Sequence, residues 1–151
     1  MRAPRPGRID ERMREAVRTP DTLRALAARP EGVLVAVVGT SMEPGLPMGS
    51  HARVHACAYL WPGQGVLFEA GGTAVLHRTV LEVPGFGWVF QVGDAGGDVG
   101  VVHRERVIGR ADIPWRMPAA GAFAQAAGAM ATTLARIVAR GDWRRPFRAA
   151  R

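Results

Sequence analysis

The chain has 151 residues, a net charge of +7, 48% hydrophobic residues and a single cysteine. Length and composition point to a globular domain large enough to bury a core and exclude a disordered chain, while the lone Cys57 excludes an intrachain disulfide and a multi-cysteine zinc site. All 20 basic residues are arginine, so no side-chain amine is available as a general base, because arginine keeps its proton at any working pH.

In chain order, residues 1–30 read as a polar helical arm. Asp21 after Pro20 is the expected N-cap, Leu23 and Leu26 supply a short apolar face, and Pro30 stops the helix. Residues 31–117 read as a mainly β domain. They are rich in Val and Gly, with turns at Pro44-Gly45, Pro62-Gly63, Gly71-Gly72, Pro84-Gly85 and Gly96-Gly97. The run 33–38 is apolar on both faces and predicts a central strand. From 51 to 60, Ala52, Val54, Ala56, Ala58 and Leu60 face one way, and His51, Arg53, His55, Cys57 and Tyr59 the other. Strands at 65–69, 74–83, 88–92 and 107–111 complete a compact antiparallel set, and Pro84-Gly85 with Gly87 suits a hairpin turn. Residues 118–151 read as an Ala-rich helix and an Arg-rich tail, so helices flank the β domain at both ends. Phe123, Ala127, Met130, Leu134 and Ile137 fall at helical spacing on one face.

The arginines crowd both ends of the chain, at Arg2, Arg5, Arg8, Arg12, Arg14 and Arg18 and again at Arg136, Arg140, Arg144, Arg145, Arg148 and Arg151. Solvated helix faces account for most of this. Aromatic residues do not interleave with the arginines as stacking on nucleic acid requires, so nucleic acid is not an expected partner. The run 33–38 is too short for a signal-peptide core or a bilayer span, and no N-terminal anchor is expected. The uncharged stretch 119–135 is mostly Ala and Gly, so it reads as a docked or interfacial helix rather than a spanning one. It gives residues 119–151 a possible peripheral contact with a membrane, and the expected location is cytoplasmic or membrane-associated. His51, His55 and Cys57 share a strand face that His103 could join, but i, i+4 and i+6 on an extended strand spread over about 20 Å, too far for one ion. No metal or other cofactor is expected. Trp61, Trp88, Trp115 and Trp143 are scattered and read as core or interface residues.

Three blocks carry chemistry. The first is Gly39-Thr40-Ser41-Met42-Glu43-Pro44, followed by Leu46 and Gly49 and then a strand. The second, residues 65–80, holds Leu76-His77-Arg78. The third runs from Val92-Gly93-Asp94 to Val107-Ile108-Gly109-Arg110. A serine hydroxyl is a poor nucleophile and needs a base within hydrogen-bond reach. A neutral imidazole can take that proton and return it to a leaving amine. A sharp turn exposes Ser41 and can aim backbone N–H groups at a developing oxyanion. On a strand, Val75 and His77 face one side while Leu76 and Arg78 face the other.

In their order and spacing these blocks resemble the serine box, the base box and the Gly-Asp box of the signal peptidase and self-cleaving repressor clan of serine peptidases. The His-Arg pair resembles its histidine-dependent branch, typified by the endoplasmic-reticulum and archaeal signal peptidases. The resemblance covers roughly residues 33–111. It implies a signal-peptidase-like β fold and a serine endopeptidase, with Ser41 as nucleophile and His77 as base. Met42 and Pro44 would fix the turn, and the Ser41 N–H is the first choice of oxyanion donor. The family pattern implies an ion pair between Arg78 and Asp94. By triad logic an acid orients the imidazole. Asp98 and Asp94 are the candidates, beside a Ser-His dyad with no third residue, and the family's later acid in this loop favours Asp98.

The chain departs from the family pattern at four places. Ser50 and Gln64 stand where the family carries Asp, and Gly39 stands where many relatives carry a hydroxyl. The family's usual N-terminal membrane anchor has no counterpart. The expected function is cleavage of a peptide or protein precursor at an extended segment, with small-residue preference implied by the resemblance alone. The alternative is a non-catalytic relative that binds peptides or partners. A self-cleaving regulator is disfavoured, since no DNA-reading helix pair and no Ala-Gly cleavage site stand in the expected places.

Overall fold

A computed structural model describes residues 19–139. The architecture is mainly antiparallel β, a seven-stranded sheet with a short helix before it and a longer one after it. Helix α1 spans Pro20–Ala27. The strands are β1 Val33–Ala36, β2 His51–His55, β3 Gly65–Ala70, β4 Thr73–Val83, β5 Trp88–Val92, β6 Gly100–His103 and β7 Val107–Asp112. Helix α2 spans Ala120–Ala139. The sheet order is β1-β2-β7-β3-β4-β5-β6, and every neighbouring pair is antiparallel. The first 18 residues and the arginines from 140 onward lie outside the described residues, and with them most of the N-terminal arm and the tail.

Alternation along the strands builds the core. In β3 and β4 the register pairs Leu67 with Leu76 on one face and Phe68 with Val75 on the other. The face of Leu67 and Leu76 carries two apolar clusters. One joins Val54, Leu67, Ile108 and Ala111 to Leu23 and Ala27 of α1 and to Met42 and Leu46. The other joins Val80, Phe90 and Val92 to Ala122 and Ala126 of α2. The opposite face carries the third cluster, with Leu60, Val66, Phe68, Val89, Val102 and Val107. Arg78 lies between the two clusters of the first face, since residues 76, 78 and 80 share a side of β4.

Several sequence expectations change. The run 33–38 does not form a central strand. β1 is an edge strand that pairs with β2, because α1 covers its inner side while Leu34 stays 55% and Val38 89% exposed. β2 stops at His55 although the alternation continues to Leu60. β7 runs on past that point to Val107, but the Ala56 N–H turns away to the carbonyl of Ala27 at 2.7 Å. The cap of α1 is Thr19, whose hydroxyl accepts from the Thr22 N–H, and Asp21 lies in the first turn. β6 is a strand absent from the sequence reading. On α2 the docked face is Ala122, Phe123, Ala126, Ala129 and Met130, while Ala127 is exposed. Small residues let the helix lie close to the sheet, so burial follows Ala where the spacing followed Phe and Leu. The hairpin from β4 to β5 turns through Pro84–Phe86 with Gly87 left-handed, as the Pro-Gly pattern predicts.

Candidate active site

The serine turn leaves the end of β1 and closes on itself through two backbone bonds. The Glu43 N–H donates to the Thr40 carbonyl at 3.0 Å and the Leu46 N–H to that of Met42 at 2.7 Å. Met42, 1% exposed, and Leu46 anchor it in the core beneath α1. Ser41 is left exposed between these anchors, and Pro44 is exposed after a cis peptide bond. Met42 thus fixes the turn through burial. The N–H groups of Ser41 and Met42 donate to no group among the described residues. Both remain available to an oxyanion.

The turn straddles the end of β5. On one side the Ala95 N–H donates to the Ser41 carbonyl at 3.0 Å. A Cβ on Gly93 would stand 2.5 Å from that carbonyl oxygen and 3.4 Å from the Ser41 Cβ. Only glycine permits so close an approach. On the other side a Cβ on Gly45 would stand 2.3 Å from Asp94 Oδ2. The Gly93-Asp94 pair is thus gripped by the serine turn from both faces.

Arg78 holds the same pair from β4. Its Nε and Nη2 donate to the two Asp94 oxygens at 2.6 Å each, and its Nη1 donates to the carbonyls of Gly63 at 2.7 Å and Pro114 at 2.9 Å. The two side chains are 2% and 4% exposed. A buried charge needs this degree of pairing. The guanidinium ties together the loop before β3, the loop after β7 and the loop after β5.

His77 lies on the opposite face of β4. The register pairs Arg78 with Val92 and Thr79 with Gln91. Continued by one residue it sets Gly93 across from His77. Directly opposed Cβ positions stand about 4.5–5.5 Å apart. With the Ser41 Cβ 3.4 Å from the Gly93 position, the Cβ atoms of Ser41 and His77 stand within about 9 Å of each other. The ring itself is held on two sides. The Phe68 ring meets it edge to face at 5.7 Å. Its Nδ1 is in hydrogen-bond contact with Gln91 Oε1.

That contact shows the residue the sequence reading missed. Neither candidate acid is the protein partner of His77 Nδ1. Asp94 is committed to Arg78, and Asp98 is exposed in the loop with no hydrogen bond or ion pair among the described residues. Gln91 is identifiable only from register, as the residue on the next strand diagonal to His77 and on the same face. The other histidines stand apart. His55 is 3.4 Å from Asp112 and His103 is 3.5 Å from Glu105, while Cys57 Sγ lies 3.6 Å from Arg104. Among the described residues no three metal-ligating side chains come together. Ser50 and Gln64 act locally. The Ser50 carbonyl accepts from Val37, and Gln64 braces the loop before β3 through the Trp61 N–H at 3.0 Å.

The chain matches no protein-family model, no curated protein and no solved structure.

Proposed function

We propose that the chain is a serine endopeptidase that works like a histidine-dependent signal peptidase, with Ser41 as nucleophile and His77 as general base. The observation that carries this reading is the seat of Ser41 over Gly93, across the β4–β5 ladder from His77. An ordinary turn serine has no need of a glycine beneath it on the strand beside a histidine.

In the proposed reaction Ser41 Oγ attacks the scissile carbonyl carbon while its proton passes to His77. The carbonyl oxygen becomes an oxyanion facing the free N–H groups of the turn. The imidazolium returns its proton to the leaving amine as the C–N bond breaks, which leaves an acyl-serine ester. Water then attacks the ester, gives its proton to His77, and releases the new carboxylic acid with Ser41 restored. An extended substrate lies beside the serine turn, where β1, the edge strand among the described residues, can take strand addition. The exposed side of α2, in which only Ala122 and Ala126 are buried, supplies a route to a membrane surface.

The test is cleavage of an extended-peptide library rich in small residues, read by mass spectrometry. Products that vanish in Ser41→Ala support the peptidase. Peptides that bind, by chemical-shift changes around the serine turn, yet stay intact through long incubation identify a non-catalytic peptide-binding protein.

A further inference from the structure

The third position of a serine triad is usually argued as a carboxylate. Here the group in contact with His77 Nδ1 is a neutral amide. Gln91 is 8% exposed. It pairs with Gly100 of β6 on one side and Thr79 of β4 on the other. A Cβ on Gly100 would stand 2.2 Å from Gln91 Nε2. The missing side chain at 100 therefore makes the recess that receives the amide nitrogen, and the amide oxygen is left pointing at the ring. Thr79 adds no competitor, since its buried hydroxyl has no hydrogen-bond partner.

An amide oxygen only accepts, so the nitrogen it meets must carry the proton. We propose that Gln91 is the positioning residue of His77: it holds the ring in the Nδ1–H tautomer, which leaves Nε2 as the bare nitrogen that takes the Ser41 proton. The inference rests on the Ser–His reading for its purpose and on the strand register for its geometry. It also sets the electrostatics of the site. A carboxylate would stabilise the imidazolium and hold the ring protonated to higher pH. The amide orients without adding charge. Among the described residues no carboxylate is in hydrogen-bond or ion-pair contact with His77. Asp94 is paired with Arg78 on the other face, and Glu82, further along β4, is taken by Arg104 and the Leu60 N–H. Glu43 in the serine turn and Asp98 after β5 make no ion pair among the described residues.

The test reads the ring nitrogens of His77 in the full chain by long-range proton–nitrogen correlation, above the pH at which the ring deprotonates. The expected spectrum has Nδ1 protonated and Nε2 bare. Gln91→Met removes the acceptor, and Gly100→Ala pushes the amide aside while keeping Gln91. Both shift the population toward Nε2–H. Gln91→Glu keeps Nδ1–H, because a carboxylate oxygen also accepts from it. If peptide cleavage is found, Gln91→Met lowers kcat at least about tenfold with little change in KM, and Gln91→Glu moves the acid limb of the profile upward. An Nε2–H ring in the wild-type chain overturns the proposal, as does a tautomer indifferent to both Gln91→Met and Gly100→Ala. The spectrum reads the tautomer whether or not the chain cleaves peptides, so failure here is distinct from failure of the peptidase reading.

Discussion

His77 and Arg78 are adjacent on β4, point to opposite faces, and are held in opposite ways. Arg78 is saturated. It is nearly fully buried, it spends donors on both oxygens of Asp94 and on two backbone carbonyls, and it fastens three loops at once. His77 is half-buried, has among the described residues one polar contact to a neutral amide and one aromatic edge, and faces the side of β5 over which Ser41 is seated. Charge is placed where nothing has to move. On the other face, where the proposed reaction moves a proton, His77 has no charged partner among the described residues. The structural clamp and the proposed base are thus separated by one residue of strand alternation.

The strongest way to break this comparison is at the proposed chemistry. Ser41→Ala and His77→Ala each remove about 10⁴-fold or more of kcat/KM against the best peptide, with thermal unfolding little changed. Next comes the clamp. Arg78→Met leaves the Asp94 carboxylate buried without its partner, and chemical denaturation is expected to show a loss of about 3–5 kcal/mol. Asp94→Ala behaves in the same way from the other side. If either variant kept full stability but lost activity, Arg78 would belong to the chemistry and the two faces would not be separate.

Gly93→Ala probes the seam between the faces. Its Cβ would press on a backbone atom of Ser41 rather than on a flexible side chain, so the turn must shift. A displacement near 1 Å lowers kcat/KM by about 10²-fold, with a smaller effect on unfolding than the Arg78 variants. Comparing Gln91→Met with Asp98→Asn sharpens the third position, since the amide variant is expected to lower kcat more than the carboxylate one. The smallest effect is a gain. Thr79→Val removes a fully buried hydroxyl that has no partner and raises unfolding stability by about 1 kcal/mol.

Much of this was legible in the sequence because it depends on local rules. The strands of β3, β4 and β5 follow alternation and turn chemistry, and β5 spans residues 88–92 as read. The opposition of His77 and Arg78 follows from strand parity alone. Other features depend on partners that lie far along the chain. β1 is an edge strand because α1 covers its inner side and, among the described residues, no strand adds beyond it. β2 ends where the Ala56 N–H leaves the ladder for the Ala27 carbonyl of α1. Gln91 has nothing in its neighbourhood in sequence to mark it. Its place beside His77 comes from the β4–β5 register and the recess at Gly100, and a search for a nearby acid passes over a glutamine. The Gly93-Asp94 pair was legible as a motif. That the serine turn grips it from two sides required the three-dimensional arrangement.

The most direct test of the central claim is labelling by a fluorophosphonate, followed by intact mass and peptide mapping. The Ser–His reading predicts one phosphonyl adduct, located on Ser41, absent in Ser41→Ala and formed at least about 10²-fold more slowly in His77→Ala. An unmodified wild-type chain, or an adduct on Ser41 that forms equally fast without His77, would contradict it.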